Sequence, residues 1–352
     1  MKKILLMTIA FSALVFASCS KESGKEAEGD VTQLTVRLAG VLPETRMTGT
    51  AGQTGQLKLN DGQIYIVNAA GSVLQSVVLD VAAATGAGQA IATPVPSDSR
   101  VYILGNVPKT VNTGSLTTLD QIKSTAVLIS ASDQNDYTKA ALANASGDAV
   151  PLTVSGTTAT VMVEISPLYS RMELNRVVGD SSIVSFRVTG VFVDSYYSSF
   201  TLGGGSAGVI WTQSQKNDFT GNIGDTGAWN STGTPPNTVA VPATGQVWAY
   251  HIAAADLPRF IVRVENIVYN DRSGTQHTMS GVYYVTVTGY TGAAPTKFER
   301  GKIYQIQSVQ IRALANSGGP ANISTQPNPT NVTTTVQTKV IDWVATPLTP
   351  KT

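Results

Sequence analysis

A chain of 352 residues with 42% apolar content is long enough for two domain-sized cores. Charged residues make up only 13% and the net charge is +1, so there is no basic field for nucleic acid and no acidic one for cations. A single cysteine excludes a disulfide framework and any cysteine-based zinc site, and two histidines, His251 and His277, leave little for a histidine-dependent centre; no catalytic residue, metal or cofactor is expected.

In chain order, Lys2 and Lys3 precede a short apolar run from Ile4 to Phe16, and Ala17-Ser18-Cys19 follow. The run is too short to span a bilayer, so residues 1–18 read as a signal peptide. The cysteine at the junction resembles the lipobox of bacterial lipoproteins, with Phe16 where Leu is more usual. Acyl chains on Cys19, palmitate among them, imply stable attachment to outer-membrane lipid. The polar stretch Ser20–Asp30 reads as a flexible spacer, and its Ser20-Lys21-Glu22 start resembles the surface-export signal of lipoproteins in Bacteroidetes-type bacteria.

Beyond the spacer the pattern has period two. Leu34, Val36 and Leu38 alternate with Thr35 and Arg37 as in a half-buried strand, which Pro43-Glu44-Thr45-Arg46 closes with a turn. Further strands are expected at 63–68, 73–79, 100–105 and 158–165, and short helices at 117–127 and 135–144. A second set of strands starts at Ser170-Arg171-Met172-Glu173-Leu174 and continues through 183–193, 246–252, 260–269, 281–288 and 302–312. Residues 195–245, rich in Gly, Ser, Thr and Asn, read as a long decorated loop. Serial short strands between turn-rich segments indicate an all-β fold with minor helix, divided near Pro167.

After a Gly/Pro/Asn-rich linker from Ala315 to Asn331, a late strand places Val332, Thr334, Val336, Thr338 and Val340 on one face. It then changes phase to Ile341 and Trp343. By pattern alone this strand either returns to the chain's own sheet or is meant for another molecule's sheet edge.

No motif supplies chemistry. Gly203–Gly208 lacks the Gly-Lys-Ser/Thr and the helix of a phosphate loop, and no H-E-x-x-H occurs. Asp225 in Gly224-Asp225-Thr226-Gly227 has no second loop to supply a paired carboxylate. His251 reads as a packed strand histidine and His277 as solvated. Tyr196, Tyr197, Tyr283 and Tyr284 offer a sugar-stacking platform as one reading and plain strand surface as the other.

Four features stand in the order found in the fimbrillin family, the subunits of type V pili of Bacteroidetes-type bacteria. They are Cys19, a first strand ending in Arg46, Ser170-Arg171-Met172, and a pair formed by Lys297-Phe298-Glu299-Arg300-Gly301-Lys302-Ile303-Tyr304 and Val340-Ile341-Asp342-Trp343-Val344. The resemblance implies two tandem transthyretin-like β-sandwiches at 47–167 and 168–314. They follow a lipidated propeptide at 19–46 and precede a linker and donor strand at 315–352. It further implies that an arginine-specific surface protease cuts between Arg46 and Met47, removing the lipid and the strand of Leu34, Val36 and Leu38 together. The donor strand of another copy, or of a related pilin, then fills the groove (Val332, Thr334, Val336, Thr338, Val340, Ile341 and Trp343). The function implied is a stalk subunit of an extracellular fimbrium that contributes to adhesion. A surface glycan-binding lipoprotein and a tip adhesin of the same pilus are the alternatives.

Overall fold

The computed structural model describes residues 30–39, 58–92, 94–129, 139–211, 223–243, 246–292, 296–312, 322–327 and 334–342. Among them are 25 strands and two short helices, as the all-β expectation requires. Residues up to Pro167 supply β1 (Gln33–Ala39), β2 (Gly62–Val67), β3 (Val73–Val78), β4 (Gln89–Ile91) and β5 (Arg100–Gly105). They continue with β6 (Ala126–Leu128), β7 (Leu142–Asn144), β8 (Val150–Pro151), β9 (Thr153–Ser155) and β10 (Thr158–Pro167). Helices α1 (Val81–Thr85) and α2 (Leu119–Ser124) lie between them.

The following residues give β11 (Ser170–Leu174), β12 (Val177–Gly179), β13 (Ile183–Asp194), β14 (Tyr196–Thr201) and β15 (Ser206–Trp211). Then come β16 (Gly224–Asn230), β17 (Val239–Ala240), β18 (Trp248–Ile252), β19 (Ala255–Asp256) and β20 (Arg259–Asn270). Last are β21 (Gln276–Gly292), β22 (Lys297–Phe298), β23 (Lys302–Ile306), β24 (Val309–Ile311) and β25 (Thr334–Asp342).

Two large sheets result. The first runs β3-β2-β5-β7-β10-β1-β4, with β8 beside β5 and β9 beside β10. The second runs β16-β13-β20-β21-β25-β23-β11-β18. Both are rolled, because their end strands meet. In the first, Gln89 on β4 donates to the Val78 carbonyl that ends β3 (3.0 Å) and accepts from the Asp80 amide (2.8 Å). In the second, Trp229 on β16 packs edge-on against Trp248 on β18, with centroids 5.3 Å apart. The buried Tyr250 hydroxyl of β18 reaches Val191 O on β13 (2.9 Å) and Asp225 Oδ2 on β16 (3.0 Å). Rolling lets each sheet bury one face against itself, so the period-two strands have a core to face. β6 joins the two halves by pairing with β14, and β15 completes that small sheet. Most of the buried apolar residues form one contiguous cluster from Val31 to Ile311, and Phe192, Ile261 and Tyr284 form a second, small one.

Several expected elements differ. Residues 142–144, expected as helix, are the fully buried strand β7. The expected loop at 195–245 carries β14 to β17, and its β16 is an end strand of the second sheet. Small uncharged residues there leave little contrast between faces, which hides the alternation. The helix expected at 117–127 occupies Leu119–Ser124, set by a capping box in which Thr118 and Gln121 satisfy each other's amides, before β6 begins. Helix α1, capped by Asp80, is one turn long and too short to leave a periodic signature.

Candidate functional site

The first strand sits inside its sheet. β1 runs parallel to β10 over its whole length, from Gln33 opposite Thr158 to Ala39 opposite Glu164. On its other side Leu34, Thr35 and Val36 pair antiparallel with Ile91, Ala90 and Gln89 of β4. Just before it, Val31 exchanges both backbone hydrogen bonds with Val95, at 2.8 and 2.9 Å. Leu34 and Val36 have no exposed surface and Leu38 retains 9%, so the three expected strand residues do share one buried face. Thr35 and Arg37 occupy the other face. There Gly88, at φ +107, leaves room: a Cβ at this position would lie 2.5 Å from Thr35 Cγ2. The Arg37 guanidinium donates to Ala87 O at 2.9 Å. Withdrawing β1 would therefore uncover an apolar groove and unpair edges on two strands at once.

The late strand β25 sits in the second sheet of the same chain. Thr334, Val336 and Thr338 are opposite Val287, Tyr290 and Gly292 of β21, in parallel. Thr338, Val340 and Ile341 are opposite Ile306, Tyr304 and Ile303 of β23, antiparallel. Among the described residues only Thr338 is paired on both sides; the earlier half is held by β21 alone and the later half by β23 alone. β1, by contrast, is paired on both sides through three consecutive residues. Per residue, β25 has fewer ladder hydrogen bonds to break. Cys19, Arg46, Met47, Val332 and Trp343 lie outside the described residues.

The motif residues quoted from the sequence occupy two polar clusters that pattern reading did not foresee. Arg171 on β11, 1% exposed, donates to Glu173 Oε1 at 2.7 Å. Gln305 on β23 donates to Glu173 Oε2 at 3.0 Å. The Arg171 guanidinium also lies 3.3 Å from His251 Nε2 on β18, where the ring nitrogen accepts. Burial first, and the Arg171 charge second, hold His251 well below the usual histidine range, so it is neutral and packs against the Tyr169 ring at 4.6 Å. The reading of His251 as a packed strand histidine agrees with this geometry. The second cluster surrounds Arg300 in the turn between β22 and β23. Its guanidinium donates to Ala145 O and reaches Gly203 O at 3.3 Å and Asn144 O at 3.5 Å.

His277 is partly exposed, 2.9 Å from Asp271 and stacked on Tyr269. Hydrogen bonds from Ser273 and His277 hold Asp271 well below the usual carboxylate range. Of the four tyrosines considered as a stacking platform, Tyr196 and Tyr284 are buried at 4% and 1% exposure, so the four do not form one surface. Asp225 is raised by burial and hydrogen-bonded to Tyr250. Among the described residues no three His, Cys, Asp or Glu side chains gather as a metal site, and no helix is long and apolar enough to cross a membrane.

No protein-family model matches the chain, and no curated protein matches it in sequence. Solved structures do match its fold. A fimbrilin from Porphyromonas gingivalis superposes with a TM-score of 0.54 at 11% identity, covering 92% of this chain and 100% of that one. A candidate cell adhesion protein from Bacteroides eggerthii gives 0.55 at 15% identity, covering 93% and 100%. Another from Parabacteroides distasonis gives 0.52 at 13%, covering 92% and 99%. At these identities what is shared is the fold, over nearly the whole of each chain.

Proposed function

We propose that this chain is a structural subunit of a surface pilus of the fimbrillin type, assembled by exchange of strands between copies. In this reading it is exported as an outer-membrane lipoprotein on Cys19. An arginine-specific surface protease cuts between Arg46 and Met47, and β1 leaves with the lipid. The segment from Val332 to Trp343 of the next subunit enters the vacated groove, and a subunit with both a groove and a spare strand belongs in the stalk. The two sandwiches at 47–167 and 168–314 divide the tasks, one accepting a strand and the other supplying it.

The observation that carries this reading is the position of β1. An N-terminal strand with Leu34 and Val36 wholly buried is held between β10 and β4, so its loss leaves a groove of defined shape. Before cleavage the tethered strand competes for that groove at an effective concentration on the order of millimolar, which keeps the precursor monomeric. Cleavage ends that advantage. β25 is longer than the strand it would replace, nine residues against seven, and is held on one side over most of its length. The shared fold of the fimbrilin structure supports the same reading.

The test is limited digestion of the purified precursor with trypsin, followed by electrophoresis without boiling. The expected product begins at Met47 and forms a ladder of multimers, whereas Arg46→Ala stays unprocessed and monomeric. A stable monomer beginning at Met47 would sink the strand-exchange reading.

A further inference from the structure

The geometry points to Arg300 as the residue that fixes the relative orientation of the two rolled sheets, and we propose that it acts as a lock between them. Its guanidinium lies where three segments converge: the end of β7 in the first half of the chain, the turn between β14 and β15, and its own turn leading into β23. The groups it hydrogen-bonds are main-chain carbonyls, those of Asn144, Ala145 and Gly203. A planar, permanently charged fork with five N–H donors can serve several carbonyls at fixed angles, which an ammonium cannot do.

One glycine clears the space and a second borders it at ordinary contact distance. A Cβ on Gly204, at φ +86, would lie 2.3 Å from the guanidinium nitrogen and 2.7 Å from Arg300 Cδ. A Cβ on Gly147, at φ +80, would lie 3.5 Å from the other terminal nitrogen. One glycine belongs to each half of the chain, and both adopt a backbone conformation that other residues take at a cost. Other contacts cross the same seam, each through a single hydrogen bond or a short strand pairing. They are the short β6–β14 pairing, the amide of Gly203 on Lys123 O at 2.9 Å, and the Tyr102 hydroxyl on Leu202 O at 2.7 Å.

This inference rests on the proposed function only in its consequence. If the groove lies in one sheet and the spare strand in the other, the angle that Arg300 holds is repeated at every subunit and sets the straightness of the fibre. The lock itself is measurable in the unprocessed monomer. Spin labels on exposed positions of the two halves, at Ser76 and Ser273, report the inter-half distance distribution, and calorimetry reports whether the halves unfold together.

The wild type should give a narrow distribution and one transition. Arg300→Ala and Gly204→Ala should each broaden the distribution and split the transition in two, and Arg300→Lys should not restore it. Gly205→Ala, in the same turn but facing Thr201, should behave as wild type. A narrow distribution and a single transition in both Arg300→Ala and Gly204→Ala would overturn the proposal. A wild type that never polymerises would overturn the functional reading while leaving the monomer measurements to judge the lock.

Discussion

Removing β1 and returning it as a separate peptide tests the groove directly. A chain that begins at Met47 lacks Val31, Leu34, Val36 and Leu38, all buried in the intact protein. It should melt at a lower temperature than the longer chain. A synthetic peptide of residues 30–40 at about 100 times its dissociation constant should restore about 2.7 kcal/mol. At ~2–4 °C per kcal/mol for a chain of this size, the midpoint should rise by roughly 5–11 °C. Replacing Leu34 by Ala in the peptide removes a side chain with no exposed surface. That change costs ~2–5 kcal/mol, which corresponds to weaker binding by about 30-fold to several thousand-fold. A peptide of residues 331–344 should compete for the same site. Calorimetry gives the midpoints and titration calorimetry the affinities. Equal melting of the two chains, or a midpoint unmoved by either peptide, would refute the assignment of β1 as a removable strand.

Two further outcomes follow from packing and charge. Gly88→Val should destabilise the chain that carries β1 by about 1–3 kcal/mol, from backbone strain and contact with Thr35. The loss should be smaller in the chain beginning at Met47, where the Thr35 contact is gone; equal losses would mean Gly88 does not sense β1. His251 should make stability depend on acid pH. Its folded-state value lies well below 6.5, because burial and Arg171 disfavour the imidazolium. The unfolded state therefore binds a proton that the folded state refuses, and stability present above pH ~6.5 is lost as the pH falls, approaching about 1.4 kcal/mol per pH unit. In denaturant titrations from pH 7 to 5, His251→Gln should remove this slope; an unchanged slope would assign the effect elsewhere.

How much of this was legible varies with the kind of information each residue carries. The faces of β1 and β10 follow from alternation, and Leu34, Val36 and Leu38 are buried as their spacing requires. Neighbours do not follow. Alternation says which side chains share a face but is silent on which strand lies alongside, so the parallel pairing of β1 with β10 was unreadable. The same silence applies to β25, whose pattern fits a strand that returns and one that departs equally well. Buried charge was hidden for another reason. Arg171 and Glu173 are two residues apart on one strand, which reads as a solvated face. They are buried because His251 and Gln305 supply partners from 80 and 132 positions away. The Arg300 seam likewise depends on two glycine turns that meet only after folding, although the Lys297–Tyr304 run had already singled out the right segment.

The pairing of β1 with β10 also bears on the order in which the molecule is made. Thr32 bonds to Thr157, 125 positions further along the chain. The first strand to emerge therefore has no parallel partner until more than a third of the protein has followed it. Hairpins such as β2–β3 close locally in the meantime, because short loops close faster than long ones. On this topology the earliest strand can meet β4 early but gains its full-length neighbour only when β10 is made. The groove that β1 fills is therefore complete only after β10 arrives, long after β1 itself. Joining the earliest strand to one made much later uses the same backbone pairing that a strand from a neighbour would use.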